Sequence, residues 1–208
     1  MTREEFEQWW DPDKWDWEHN SDHLTQEYHE YFDVWWDPKR YNWEHSPDLA
    51  EYCSKYFTEW WNADKFNWKY GSYELALNCA EYFDIWWDPK RFNWNASWAL
   101  ARGCHMHFDK WWDPEKFDWS ASYALAKYCS AYFEKWWNPE LFCFTTTDPL
   151  DGLQALFEYC GAYIKVWLPG ALKRCELLRA SIPVIVHRID DVKEALLTYI
   201  LNEGGEKK

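Results

Sequence analysis

Apolar side chains fall at three- and four-residue steps through Leu49, Cys53, Tyr56, Phe57, Trp60 and Trp61, and equivalent series pass through Leu75, Leu100 and Leu125. That phase predicts an amphipathic helix of about 16 residues, roughly 24 Å long, ending at the tryptophan pair. The pairs themselves mark a period. They stand at Trp9-Trp10, Trp35-Trp36, Trp60-Trp61, Trp86-Trp87, Trp111-Trp112 and Trp136-Trp137, at intervals of 26, 25, 26, 25 and 25 residues. One unit reads W-W-[DN]-P-x-[KR]-[FY]-[DN]-W, a short linker ending in Ser, then x-x-L-A-x-x-C-x-x-[YH]-F.

Each part has a local physical meaning. Ser46, Ser72, Ser97 and Ser122 stand three residues before the helical Leu, where an N-cap is expected. Pro47 follows Ser46 and suits the first helical position. Asp11-Pro12, Asp37-Pro38, Asp88-Pro89 and Asp113-Pro114, relaxed to Asn62-Ala63 and Asn138-Pro139 in two units, give a second N-cap signal that predicts a one-turn helix. Trp17, Trp43, Trp68, Trp94 and Trp119 then return the chain to the next long helix.

One unit cannot bury its own aromatics, whereas stacked units can. The expected architecture is therefore all-α: a right-handed helical tandem-repeat, or α-solenoid, of about six 25-residue units with a helical C-terminal cap. The repeat array spans 1–144, with units starting near 9, 35, 60, 86, 111 and 136. Phe6 with Trp9-Trp10 forms an N-terminal half unit. Residues 145–208 hold a degenerate last repeat and the cap. There, a long helix through Leu156, Cys160 and Tyr163-Ile164 is expected to end near Trp167-Leu168-Pro169. Ile182–Val186 reads as a short strand or a helix start, and Asp191 to Glu194 as a capping box into a helix closed by Gly204. The architecture resembles helical solenoids such as tetratricopeptide and HEAT arrays, with a shorter period and without their consensus residues.

Charge changes the picture along the chain rather than uniformly. The net charge is −14, but residues 1–60 carry 5 Lys/Arg against 16 Asp/Glu, residues 61–144 carry 9 against 11, and residues 145–208 carry 8 against 9. An acidic N-terminal half repels phosphate backbones and attracts basic surfaces, which disfavours direct nucleic-acid binding. The chain contains no apolar run of about 20 residues and no basic-then-apolar leader, so a soluble, cytoplasmic protein is expected, with no membrane partner.

Candidate chemistry is weighed against packing. Cys53, Cys79, Cys104, Cys129 and Cys160 share one repeat position, about one repeat apart and too distant for disulfides, and read as small buried residues at helix contacts. A start of helix is predicted between His19 and His23 at Ser21, and Cys104-His105-x-His107 splays on a helix, so no metal site is expected. The chain offers no phosphate loop or nucleophile elbow, so no cofactor and no catalytic residue is expected. Arg40, Lys65, Arg91 and Lys116 read as packing on the aromatic turn. Positions that break the consensus, namely Trp15, Trp98, His105, Met106 and Gln26, are candidates for solvent or a partner.

The expected function is a non-catalytic, acidic protein-binding repeat module that docks or inhibits a basic partner protein, one that itself binds nucleic acid in the sharpest form of the idea. The expected contact residues are Glu27, Glu30, Asp33, Glu51, Glu59, Glu74, Glu81 and Asp84, as rows of charge about one helical turn apart. The alternatives are a self-assembling homo-oligomeric scaffold and an aromatic-groove small-molecule binder or enzyme.

Overall fold

A computed structural model describes residues 1–144 and 150–181. Every regular element among the described residues is helical, with no strand. The strand-or-helix segment at 182–186, the capping box at 191–194 and Gly204 lie outside the described residues.

The chain begins with α1 (Arg3–Trp9), α2 (Trp17–Glu27) and α3 (Phe32–Trp35). Then follow α4 (Ser46–Tyr52) and α5 (Phe57–Trp60), α6 (Trp68–Asn78) and α7 (Phe83–Trp86), and α8 (Ser97–Gly103) and α9 (Phe108–Trp111). The series closes with α10 (Ser122–Tyr128), α11 (Phe133–Trp136), α12 (Leu150–Tyr159) and α13 (Ile164–Ser181). The helices α2, α4, α6, α8, α10 and α12 pack each on the next in a row.

The single 16-residue helix expected from the apolar phase is broken in every unit. At Cys53 the backbone leaves helical geometry (φ −116°, ψ 24°), and Ser54–Tyr56 forms a 3₁₀ turn before α5 resumes. The cause is the first tryptophan of the pair. The Cys53 carbonyl accepts the Tyr56 N–H at 2.9 Å and the Trp60 indole N–H at 2.9 Å. The same clamp joins Trp35 to Tyr28, Trp86 to Cys79, Trp111 to Cys104, Trp136 to Cys129 and Trp167 to Cys160, at 2.8–2.9 Å. These indoles are almost fully buried, and a buried N–H needs an acceptor. The apolar positions keep their three- and four-residue phase across the bend, so periodicity alone does not register it.

The serines are not the N-caps either. Ser46, Ser97 and Ser122 are the first residues of their helices, and the capping falls to Asn42, Asn93 and Asp118, whose side chains accept the N–H two residues on. Each buried serine hydroxyl instead receives a backbone N–H from the following unit. Asn42 donates to Ser21, Asn67 to Ser46, Asn93 to Ser72, Asp118 to Ser97 and Cys143 to Ser122, at 2.8–3.0 Å.

The Asp-Pro step makes one closed turn rather than the one-turn helix expected of it. The Asp37 carbonyl takes the N–H groups of Arg40 and Tyr41, while its carboxylate takes that of Lys39 at 2.9 Å. The next carbonyl has two uses. Pro12 O accepts the Trp17 indole at 2.9 Å and Arg40 of the next unit at 2.7 Å, and Ala63 O accepts Trp68 at 2.9 Å and Arg91 at 2.5 Å. Ala63 substitutes for proline here because the carbonyl, not the ring, carries the contact.

Two further links join successive units. Thiols of Cys79, Cys104, Cys129 and Cys160 donate to Ala50, Ala76, Ala101 and Ala126 carbonyls at 3.4–3.7 Å. Phe57 stacks on Trp61 (5.1 Å, 19°) and on Tyr82 (4.6 Å, 7°), and Phe83, Phe108 and Phe133 repeat this with His107, Tyr132 and Tyr163. Past the last clamp the pattern changes. Helix α13 runs through Pro169 to Ser181 rather than ending near it, because Leu168 replaces the second tryptophan and no Asp-Pro turn follows.

Removing the serine hydroxyl from Ser72→Ala strands the Asn93 N–H with almost no change in volume. The expected cost is about 1–3 kcal/mol, read as a lowered urea midpoint at unchanged m-value. A shift below the error of the measurement means that the N–H finds another acceptor.

Candidate docking face

Three register positions of the row helices vary from unit to unit, and the second of them is buried at Glu74, Ala99 and Ala124, where the two alanines join the core. The residue after the buried serine is Asp22, Pro47, Tyr73, Trp98 and Tyr123 in successive units. Two residues after it stand His23, Asp48, Glu74, Ala99 and Ala124, and five after it Gln26, Glu51, Leu77, Arg102 and Lys127. The face is therefore acidic over the first three units, aromatic in the middle and basic beyond.

Asp22, Asp48, Glu51 and Glu74 come together although they belong to three units. Burial pushes the Asp48 carboxyl above its ordinary range, and Asp22 and Glu51 push it further, against the hydrogen bond from Gln26 and the charge of His45. Burial likewise raises Glu74, with Glu51 and Asp48 adding to it and hydrogen bonds from Tyr73 and Asn78 opposing. His45 Nδ1 stands 3.9 Å from Asp48, but no Lys or Arg pairs with any of the four among the described residues. The Tyr73 phenol is pushed up to about 12 by its hydrogen bond to Glu74, by burial and by the charges of Glu74, Glu51 and Asp48.

The eight acidic residues expected to form one charged surface divide. Glu27, Glu51 and Glu74 lie on the helix row, and Glu30, Asp33, Glu59, Glu81 and Asp84 lie on the 3₁₀ turns and short helices. Glu74 is not an exposed member of a charged row: it is 5% exposed, and Asn78 donates to its carboxylate at 2.7 Å. Asp33 is held by Arg3 and Asp84 by Lys110, each at 2.5 Å, and both carboxyls are lowered by those hydrogen bonds. Glu27, Glu30, Glu51, Glu59 and Glu81 are exposed.

The consensus-breaking positions also separate. Met106 is 77% exposed and Gln26 reaches Asp48, whereas Trp15 packs against Trp9 and His23 with its indole N–H buried and unpartnered among the described residues. Trp98 is half-buried and borders a cleft of about 330 Å³ with Lys69, Tyr70, Tyr73, Asn93 and Asn95. Tyr70 and Tyr73 are 59% and 40% exposed there. Sequence reasoning passed over Asp22, Asp48, Tyr70, Tyr73 and Tyr123. The available signal was the residue directly after the recurring serine, which is aromatic in three units yet out of phase with the core.

Other reactive groups are engaged elsewhere. Burial pushes the thiols of Cys53, Cys104, Cys129 and Cys160 up to about 12, and raises Cys79 likewise, which suppresses the nucleophilic thiolate. Helix α2 spans both His19 and His23 through a kink at Asn20, instead of starting between them at Ser21. His19 binds Asp16 at 3.1 Å while His23 stacks on Trp15. Among the described residues no three His, Cys, Asp or Glu side chains converge as metal ligands, and no helix is long and apolar enough to cross a membrane. No family model, curated protein or solved structure matches the chain.

The raised carboxyls fix a sign. Their folded-state pKa lies above the unfolded value, so their contribution to stability is full below the ordinary carboxyl range and is lost as pH rises through the raised value. Glu74→Gln is therefore expected to be more stable than the parent at neutral pH and to lose that advantage below about pH 4. Urea unfolding at the two pH values decides it, and a variant less stable at neutral pH refutes the reading.

Proposed function

We propose that the chain is a right-handed α-solenoid of about six 25-residue units with a helical C-terminal cap, and that it works as a non-catalytic docking module for a basic protein partner. The recurrence of the same clamp, serine and thiol contacts between successive units supports the architecture. The observation that carries the function is the acidic cluster of Asp22, Asp48, Glu51 and Glu74, gathered on the helix row without a Lys or Arg partner among the described residues. Carboxylates that repel one another gain more from an incoming cation than isolated ones do.

The basic residues Arg102 and Lys127 at the same register keep the partner's cations on the first three units. Imitation of a nucleic-acid duplex by long charge rows is less well supported, because Asp33 and Asp84 are already held by cations of the chain. The free thiols of Cys53, Cys79, Cys104, Cys129 and Cys160 suit a reducing compartment and support a cytoplasmic location.

A fluorescent nona-arginine peptide tests the site. Binding is expected to weaken at least about tenfold between 50 and 200 mM salt, as for an interaction dominated by charge. Asp48→Asn combined with Glu51→Gln should lose most of the affinity. The matching change at Glu30, Glu59 and Glu81 should alter it less than about twofold. Equal losses from the two sets mean diffuse attraction and overturn the docking site.

A further inference from the structure

The aromatic part of the face specifies the shape of the segment that docks. We propose that the partner segment is extended and proline-rich, with its Arg or Lys side chains over the acidic cluster and its prolines over Tyr73, Trp98 and Tyr123. This rests on the docking reading above and names the partner's chemistry.

The first support is spacing. Tyr73, Trp98 and Tyr123 hold the same position in α6, α8 and α10, which pack consecutively. Packed helices stand about 8–10 Å apart, and an interface of Ser, Ala and Cys brings them toward the near end of that range. A polyproline II chain rises about 3.1 Å per residue with three residues per turn, or about 9 Å per turn. Every third residue of such a chain thus meets one aromatic of the row. Neither an α-helix, with about 5.4 Å per turn, nor a β-strand, with about 6.8 Å between same-face residues, matches that spacing.

The second support is that these rings are spare. Tyr73 and Tyr123 are 40% and 36% exposed, and Asp22 or Pro47 fills the same position in the first two units, so the fold does not require an aromatic there. The Trp98 indole N–H has no acceptor among the described residues, whereas Trp94 and Trp111 donate to Pro89 and Cys104. A polyproline II backbone presents unpaired carbonyls to such donors. Tyr70, Tyr73 and Trp98 border one open cleft together with Lys69, Asn93 and Asn95, with room for a proline ring.

The third support is continuity and direction. Tyr73 stands next to Glu74 on α6, and α6 packs on α4, which carries Asp48 and Glu51, so the acidic cluster and the aromatic row adjoin. Arg102 and Lys127 at the far end repel cations. A docked segment is therefore oriented with its basic end toward the second unit and its prolines toward the fifth. Four helices of the row span about 27 Å, which about nine residues of polyproline II cover.

The test uses the full chain and four fluorescein-labelled twelve-residue peptides, read by anisotropy. One peptide has two arginines followed by proline at every third position. The others replace proline by glycine, replace arginine by serine, or reverse the order. The first is expected to bind about tenfold or more tightly than any other. Tyr73→Ser and Tyr123→Ser, both at exposed positions, should each weaken it about three- to tenfold and leave the glycine peptide unchanged.

Circular dichroism melting verifies that these two variants fold as the parent does. Equal binding of the proline and glycine peptides, still sensitive to Asp48→Asn, overturns the extended proline-rich segment and leaves the acidic docking site standing. No binding by any of the three arginine-containing peptides overturns both.

Discussion

The bond from a buried indole N–H to a backbone carbonyl seven residues earlier is the interaction on which the rest of the molecule depends. An uninterrupted helix would consume the Cys53 carbonyl with the Phe57 N–H and leave the Trp60 indole with nothing to donate to. Burying that N–H unpaired costs about 1–3 kcal/mol. The chain resolves the conflict by bending at cysteine: Tyr56 takes the carbonyl from three residues away, and the indole takes its second lone pair. Because the bend recurs with the clamps of Trp35, Trp60, Trp86, Trp111, Trp136 and Trp167, each of those units acquires nearly the same backbone angles between its row helix and the helix that follows. That common angle is what lets Phe57 lie between Trp61 and Tyr82, and what lets Phe83 lie between Trp87 and His107.

From that angle follow the contacts between units. The bend turns the thiols of Cys79, Cys104, Cys129 and Cys160 toward an alanine carbonyl of the preceding row helix, and it brings the N–H groups of Asn42, Asn67, Asn93 and Asp118 to a serine hydroxyl 21 residues earlier. The contacts are mostly between a side chain and a backbone, so they constrain one residue in each pair and leave its neighbours free to vary. This explains how the 20 tryptophans coexist with 36 Asp and Glu in one chain. The rings fix the interior, and among the described residues Glu74 alone of the charged side chains is buried with them.

Sequence reasoning reached the period, the helical class and the packing role of the cysteines, because all three are carried by recurrence at fixed spacing. It misplaced the helix boundaries. Ser46 has the composition of an N-cap, but its hydroxyl serves the next unit, and that partner lies 21 residues away where no local rule looks. It also merged two different acidic rows. Glu27 and Glu30 are neighbours in a helical reading, yet the bend at Tyr28 sends them to different elements. The acidic cluster was invisible for a similar reason. Asp22, Asp48 and Glu74 are distant in sequence, and only stacking of three units makes them repel one another.

The division between fixed interior and free surface also locates function on this fold. In most proteins, binding residues gather on loops held by a rigid scaffold. Here the turns are consumed: the carbonyls of Pro12, Pro38 and Ala63 each hold an indole and a cation, and Asn42, Asn93 and Asp118 are occupied as caps. The row helices also leave positions free, and there the units differ, from Asp22 and Pro47 to Tyr73, Trp98 and Tyr123. A side chain placed on a row helix is more rigid than one on a loop, and it repeats at the spacing of the helices. On the docking function proposed above, such a surface meets its partner at intervals of about 9 Å, which favours a long, regular segment over a compact one.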